Sequence, residues 1–101
     1  MKRNTMGSYR LSENAKLDLK RIYMQGLRMY GETQADKYFN EFFERFEQLA
    51  EQPLLYPAVD EIRLGYRRSV CGVDNIYYRI SSGKSVEIMA IIGHQDTSNW
   101  L

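Results

Sequence analysis

The hydrophobic positions along the chain follow two different periods. Between residues 15 and 30, apolar side chains recur every three or four positions, as they do on one face of an α-helix. The same spacing returns between residues 35 and 49. From residue 66 onward, apolar residues alternate with polar ones or form short blocks rich in β-branched and aromatic types, which is typical of strands. The pattern predicts two helices followed by a sheet.

Local residue types mark where the two helices begin and end. Ser12 is a suitable N-cap, because its hydroxyl can accept a hydrogen bond from an amide of the first turn. Gly31 predicts the end of the first helix, Thr33 is predicted to cap the second, and Pro53 ends it. The connection around Gly31 is short, so the helices are expected to pack antiparallel. Asp18 lies off the apolar stripe and is expected on the solvated side.

The strand pattern predicts how the sheet is ordered. Residues 9–11 form a short strand before the first helix, and residues 66–71, 76–80 and 86–92 form three more after a loop at 54–64. The last block is almost wholly apolar, so we expect it in the middle of the sheet, beside the first strand. The order β-α-α-β-β-β predicts an α+β fold, a helical hairpin packed on a twisted, mainly antiparallel sheet.

Length and composition limit which classes of protein are possible. The chain has 101 residues, enough for one domain, which we assign to residues 7–101 after a flexible leader at residues 1–6. One cysteine, Cys71, excludes an internal disulfide. No apolar run is long enough to span a membrane, and no apolar segment follows the basic N-terminus as it would in a signal peptide. A cytoplasmic protein is expected.

The charges nearly cancel in total but are unevenly spread. The formal net charge is +1, which gives no general basic coat for nucleic acid. Residues 1–31 carry seven basic and two acidic residues, whereas residues 32–52 carry two basic and six acidic ones. Such segments indicate either a surface with two unlike sides and a protein partner, or simply two solvated helix faces.

A pair of arginines is the first candidate for chemistry. Arg67 and Arg68 are neighbours on a predicted strand, so only one of them can face the helices. The other, with Arg63 and Arg79, would form a small basic patch suited to phosphate or carboxylate groups. Ion pairs with nearby carboxylates are the alternative reading.

The remaining reactive side chains do not establish an enzyme. His94 is the only histidine and is a candidate acid or base, or a histidine that bonds to the tail. Cys71 has no base beside it in the sequence, and Glu61 is a candidate base or the partner of an arginine in an ion pair. There is no glycine-rich phosphate loop and no metal-ligand spacing. We therefore expect no cofactor and no metal site.

Several short segments together carry a family resemblance. They include Tyr9-Arg10-Leu11-Ser12, Tyr30-Gly31, Asp60-Glu61-Ile62-Arg63-Leu64-Gly65-Tyr66-Arg67-Arg68, Ile76-Tyr77-Tyr78-Arg79 and Ile91-Ile92-Gly93-His94-Gln95-Asp96. In this order and spacing the chain resembles the ParE-type toxins of the RelE/ParE superfamily, the toxin halves of bacterial toxin–antitoxin pairs. The resemblance extends from Tyr9 to Leu101 and implies the same α+β fold that the pattern predicts.

The resemblance also implies a function. ParE-type toxins poison DNA gyrase, block replication and are neutralised by a ParD-like antitoxin, so a hetero-oligomer with an antitoxin is expected. Gyrase poisoning needs no catalytic residue, and no specific binding to nucleic acid by the chain alone is expected. The target contacts are predicted at Arg67, Arg68, His94, Asp96 and Trp100. The antitoxin contacts are predicted at Tyr23, Leu27, Tyr30, Tyr66 and Tyr78.

Two alternatives share the fold. RelE-type relatives cut messenger RNA on the ribosome, and in that case Arg68, His94 and Glu61 would be the catalytic residues. The near-neutral charge counts against it, because each phosphate contact requires a cation. The other alternative is an inert interaction module. The tail His94-Gln95-Asp96 lacks the arginine that is usual in the family, which bears on target and potency.

Overall fold

The helices and strands follow one another in the predicted order. The computed structural model describes residues 8–81, 83 and 85–93. The elements are β1 (Tyr9–Leu11), α1 (Glu13–Tyr30), α2 (Glu32–Glu51), β2 (Tyr66–Cys71), β3 (Asp74–Ile80) and β4 (Val86–Ile92). The predicted leader, residues 1–6, lies outside the described part of the chain.

The four strands form one mixed sheet in the order β1-β4-β3-β2. β1 runs parallel to β4, and the other two pairings are antiparallel. β4 therefore lies in the interior of the sheet beside β1, as its apolar sequence predicts. The register of β3 and β4 shifts between Tyr77 and Tyr78, which pair with Ala90 and Ile88. Met89 is thus an extra residue on β4, as in a β-bulge.

The boundary between the helices is tighter than expected. Ser12 caps α1 as predicted, with its Oγ accepting from Ala15 N at 3.0 Å. Gly31 ends α1 at a φ of 89° and is also the N-cap of α2, since its carbonyl accepts from Ala35 N. The predicted cap at Thr33 was wrong: Thr33 lies inside the first turn of α2 and is exposed. One glycine serves both helices because it tolerates the left-handed backbone.

Apolar side chains fill two clusters, one on each face of the sheet. The larger lies between the sheet and the helical hairpin, and its helical members are Ala15, Leu19, Ile22, Phe42, Phe46 and Leu49. The smaller contains no helical residue and consists of Val59, Tyr66, Tyr77, Ala90 and Ile92. The segment before β2 supplies Val59 to it and pairs with β2 through Ala58 and Arg67. The sheet face opposite the helices is therefore partly covered.

β1 is too short to pair with all of β4. Side chains of α1 and of its N-cap residue, Ser12, form hydrogen bonds to the β4 backbone groups that β1 does not reach. The carboxylate of Asp18 accepts from Ile91 N at 2.9 Å, and Arg21 donates to the Ile91 carbonyl at 3.0 Å. Ser12 Oγ donates to the Met89 carbonyl at 3.0 Å. The expectation that Asp18 is solvated was wrong: its side chain is buried because a sheet edge inside the protein needs polar partners.

Candidate partner-binding surfaces

An apolar groove lies between the ends of the two helices and the turn that joins β2 to β3. Its volume is about 510 Å³. The residues of α1 that line it continue the apolar stripe of that helix, yet Met29 and Tyr30 are 59% and 67% exposed. Val73, in the turn, is also exposed. Exposed apolar side chains around one concave surface indicate a binding site for a partner.

Tyr38 and Gly72 form the end of the groove at the β2–β3 turn. The Tyr38 hydroxyl lies 2.8 Å from both the Cys71 carbonyl oxygen and Asp74 Oδ2, and it accepts from Val73 N at 3.3 Å. Burial, followed by the hydrogen bond to Asp74, raises the pKa of Tyr38 well above its ordinary value. The side chain therefore stays a neutral phenol that donates, and it holds the turn in place.

The two helices that form the groove approach each other closely. A Cβ atom at Gly26 would lie 3.4 Å from the Cβ of Ala35, so small residues on both helices permit the contact. Tyr23 spans the helices, donating from its hydroxyl to Asp36 Oδ1 at 2.6 Å and packing edge-on against Phe39. The hydrogen bond to Asp36 is the main cause that raises the pKa of Tyr23. The shape of the groove is thus set by packed and bonded side chains.

The residues predicted to contact an antitoxin fall into two groups. Tyr23 and Tyr30 line the groove, and Leu27 is half-buried on the same helix. Tyr66 and Tyr78 are 5% and 0% exposed, so neither offers a surface to a partner. Tyr66 packs in the smaller cluster, and the Tyr78 hydroxyl donates to the Pro53 carbonyl at 2.8 Å. Both tyrosines hold the sheet to the loop after α2.

The two adjacent arginines of β2 lie on opposite faces, as alternation predicts. Arg67 shares the helix side with buried Ser69 and donates from Nη1 to the Tyr56 carbonyl at 2.7 Å. Its guanidinium fastens the loop before β2. Arg68 shares the other face with Tyr66 and is half-buried. The predicted target contacts His94, Asp96 and Trp100 lie outside the described residues.

The residues proposed for a ribonuclease are only partly placed. Glu61 is exposed in the loop before β2, and Arg68 is half-buried on that strand. The histidine of this set, His94, lies outside the described part of the chain. Within residues 8–81, 83 and 85–93, no three His, Cys, Asp or Glu side chains meet in a group that would hold a metal ion. Burial raises the pKa of the Cys71 thiol, so this side chain stays protonated.

Sequence reasoning did not identify a row of three charged side chains that crosses the sheet. Arg10 on β1, Glu87 on β4 and Arg79 on β3 are paired in register on the face opposite the helices. Arg79 donates from Nε and Nη2 to Glu87 Oε1 at 3.0 and 2.8 Å, and Arg10 Nη2 lies 3.3 Å from Glu87 Oε2. The available indication was Glu87 itself, the single charged residue in the apolar block at residues 86–92.

Neither described helix is both long and apolar enough to cross a membrane.

The fold is a helical hairpin packed on one face of a four-stranded mixed sheet. A family model for the ParE toxin of the type II toxin–antitoxin system parDE matches residues 9–97. The chain belongs to this family. It is 37% identical to Toxin ParE1 of Caulobacter vibrioides over 90 residues, which cover 89% of this chain and 91% of the relative.

Further similarities agree with this membership. Toxin ParE1 of Mycobacterium tuberculosis is 30% identical over 87 residues, covering 86% of this chain and 88% of the relative. A structure of a chromosomal ParDE system from P. aeruginosa matches with a TM-score of 0.77 at 20% identity, covering 89% of this chain and 98% of that one. The RelBE2 toxin–antitoxin complex from Mycobacterium tuberculosis matches with a TM-score of 0.67 at 18% identity, covering 93% and 98%. These two likenesses concern the fold.

Proposed function

We propose that this ParE-type toxin poisons DNA gyrase, blocks replication and is held inactive by a ParD-like antitoxin. The observation that carries the proposal is the match of residues 9–97 to the ParE toxin family. The described surfaces suit a protein that acts by docking, since they offer an apolar groove and a charged sheet face. The mechanism is binding: the toxin stabilises the state of gyrase in which DNA is cleaved.

The antitoxin occupies the apolar groove in this proposal. Met29, Tyr30 and Val73 expose apolar surface to water in the free toxin, and a partner that covers them gains about 25 cal/mol per Å² of apolar area buried. Lys37 and Glu41 line the groove on α2, Asp74 lines it at the β2–β3 turn, and Arg28 is exposed in the last turn of α1. A segment with apolar side chains and mixed charge therefore fits this surface.

The test is a gyrase assay with the purified toxin. DNA supercoiling by gyrase should fall and cleaved DNA should accumulate as the toxin is added. The antitoxin encoded beside the toxin should reverse both effects, and topoisomerase without toxin is the control. Unchanged supercoiling and cleavage would refute the proposal. Cleavage of messenger RNA on translating ribosomes, lost in His94→Ala, would support the ribonuclease alternative instead.

A further inference from the structure

We infer that the row Arg10–Glu87–Arg79 on the sheet face opposite the helices binds the sugar–phosphate backbone of DNA without regard to sequence. The inference rests on the proposed gyrase poisoning for the identity of that DNA, which is the segment held by the topoisomerase. The binding itself is a property of the row and can be measured without gyrase.

The first argument is which charges the row presents to solvent. The Glu87 side chain is 14% exposed, whereas those of Arg10 and Arg79 are 70% and 48% exposed. The carboxylate thus lies beneath the two guanidinium groups and holds them in place. Because both of its oxygens are engaged, a ligand that approaches the sheet meets cations first.

The second argument is hydrogen-bond capacity. Two guanidinium groups carry ten N–H donors, and the bonds to Glu87 use three of them. Ser8 and Ser85 precede Arg10 and Glu87 by two residues, so strand alternation puts their hydroxyls on the same face, 3.3 Å apart. Exposed planar forks with hydroxyls beside them match the oxygens of phosphate.

The third argument is spacing. Arg10 and Arg79 lie on strands separated by β4, so their backbones are about 10 Å apart, twice the distance between neighbouring strands. A DNA strand carries one charge about every 3.4 Å along its axis, so the row can meet more than one phosphate. Arg63, whose guanidinium lies 5.4 Å from the centre of the Tyr66 ring, extends the cations beyond β3, because Tyr66 pairs with Arg79.

Acidic residues near the row limit how strongly it attracts DNA. Asp60 and Glu61 lie in the loop that carries Arg63, and Asp60 Oδ1 accepts from Gly65 N. The contact is therefore weak alone and gains importance only where a protein already holds the DNA close. This agrees with a chain whose formal net charge is only +1.

The experiment compares the wild type with three double variants of the full chain on a short fluorescent DNA duplex at several salt concentrations. The wild type should bind with an affinity that falls about tenfold for a fourfold rise in salt, the dependence of about two phosphate contacts. Arg10→Gln/Arg79→Gln should lose this binding, and Arg10→Lys/Arg79→Lys should keep its salt dependence. Lys20→Gln/Arg28→Gln removes the same charge from exposed positions on α1 and should bind like the wild type. Circular dichroism checks that all variants fold.

Several results would overturn the inference. One is DNA binding by Arg10→Gln/Arg79→Gln at the wild-type level, and another is an equal loss in the α1 variant, which would show an effect of net charge alone. Displacement of DNA by polyglutamate as readily as by polyphosphate would identify an acidic polypeptide as the ligand. If the glutamine variant loses DNA binding but the wild type leaves gyrase unaffected, the proposed function fails and the inference stands. If the wild type and Arg10→Gln/Arg79→Gln poison gyrase equally, the row does not act on the DNA held by gyrase, that part of the inference fails, and the proposed function stands.

Discussion

Gly72 shows how a single residue shapes the groove. Its φ of +62° is costly for other residues, and a Cβ there would lie 2.5 Å from Tyr38 Cε1. We predict that Gly72→Ala lowers the free energy of unfolding by about 2–4 kcal/mol, because backbone strain and displacement of the half-buried, hydrogen-bonded Tyr38 ring add. Urea denaturation measures this. Gly65→Ala is the matched control, since Gly65 has a φ of +85° but nothing within 4 Å of its Cβ position, and it should cost about 1 kcal/mol.

An equal loss in the two glycine variants would contradict the role assigned to Tyr38. The sequence indicates a turn at Gly72 but gives no sign that a tyrosine from α2 packs on it. The contact joins residues far apart in the chain, and only the packing of α2 against the sheet brings them together.

The buried carboxyl group of Asp18 is expected to make the stability of the protein depend on pH. Burial raises its pKa, against the opposing effects of Ile91 N–H and Arg21, and the carboxylate of Asp74 adds to the rise. The native state therefore binds a proton more tightly than the unfolded chain does, so stability falls as pH rises from the unfolded pKa, about 3.9, through the raised folded value. Asp18→Asn removes this titration.

The measurement for Asp18 is the free energy of unfolding of wild type and Asp18→Asn across the acid range. The wild type should lose stability relative to the variant as pH rises through that interval, with a constant difference above it. A difference that stays flat with pH, or that changes in the opposite direction, would refute the assignment. Leu17→Asn, at an exposed neighbouring position, is a control that should show no such change.

At the scale of the helices, substitutions test which residues cap α1 and α2. Ser12→Ala should lower the free energy of unfolding by about 1–2 kcal/mol, because Ser12 Oγ accepts from Ala15 N and donates to the Met89 carbonyl. Thr33→Ala should change it by less than about 0.5 kcal/mol, since no side-chain cap bond is made at the start of α2. Thermal unfolding of the two variants checks both values. A large loss in Thr33→Ala would restore the cap predicted from the sequence.

The elements themselves were predictable because their periods and caps are local. The apolar block at residues 86–92 even placed β4 correctly in the sheet. The burial of Tyr66 and Tyr78 was not predictable, because it depends on the loop after α2 returning to β2 and on the register shift at Tyr77 and Tyr78. The burial of Asp18 was not predicted for a related reason. β1 pairs with β4 only as far as Ile88, so the Ile91 amide needs a hydrogen-bond acceptor from α1.

At the scale of the whole molecule, the helical hairpin presents opposite surfaces on α1. One side faces the groove and ends in Tyr30, and the other carries Leu17, which is 65% exposed. The charge pattern indicated two unlike surfaces but could not locate the groove, which exists only where α1, α2 and the β2–β3 turn meet. The two exposed apolar residues therefore make a matched pair for testing which side an antitoxin covers.

Tyr30→Asp should weaken binding of the antitoxin at least about tenfold, because a complex would bury a charge where an apolar ring now lies. Leu17→Asp places the same charge on the other side of α1 and should leave the affinity within about twofold. Both positions are exposed in the free toxin, so neither variant should change the unfolding temperature by more than a few degrees. Titration calorimetry with the antitoxin measures the affinity. A loss confined to Leu17→Asp would place the antitoxin on the side of α1 that carries Leu17, and equal losses would point to overall charge as the cause.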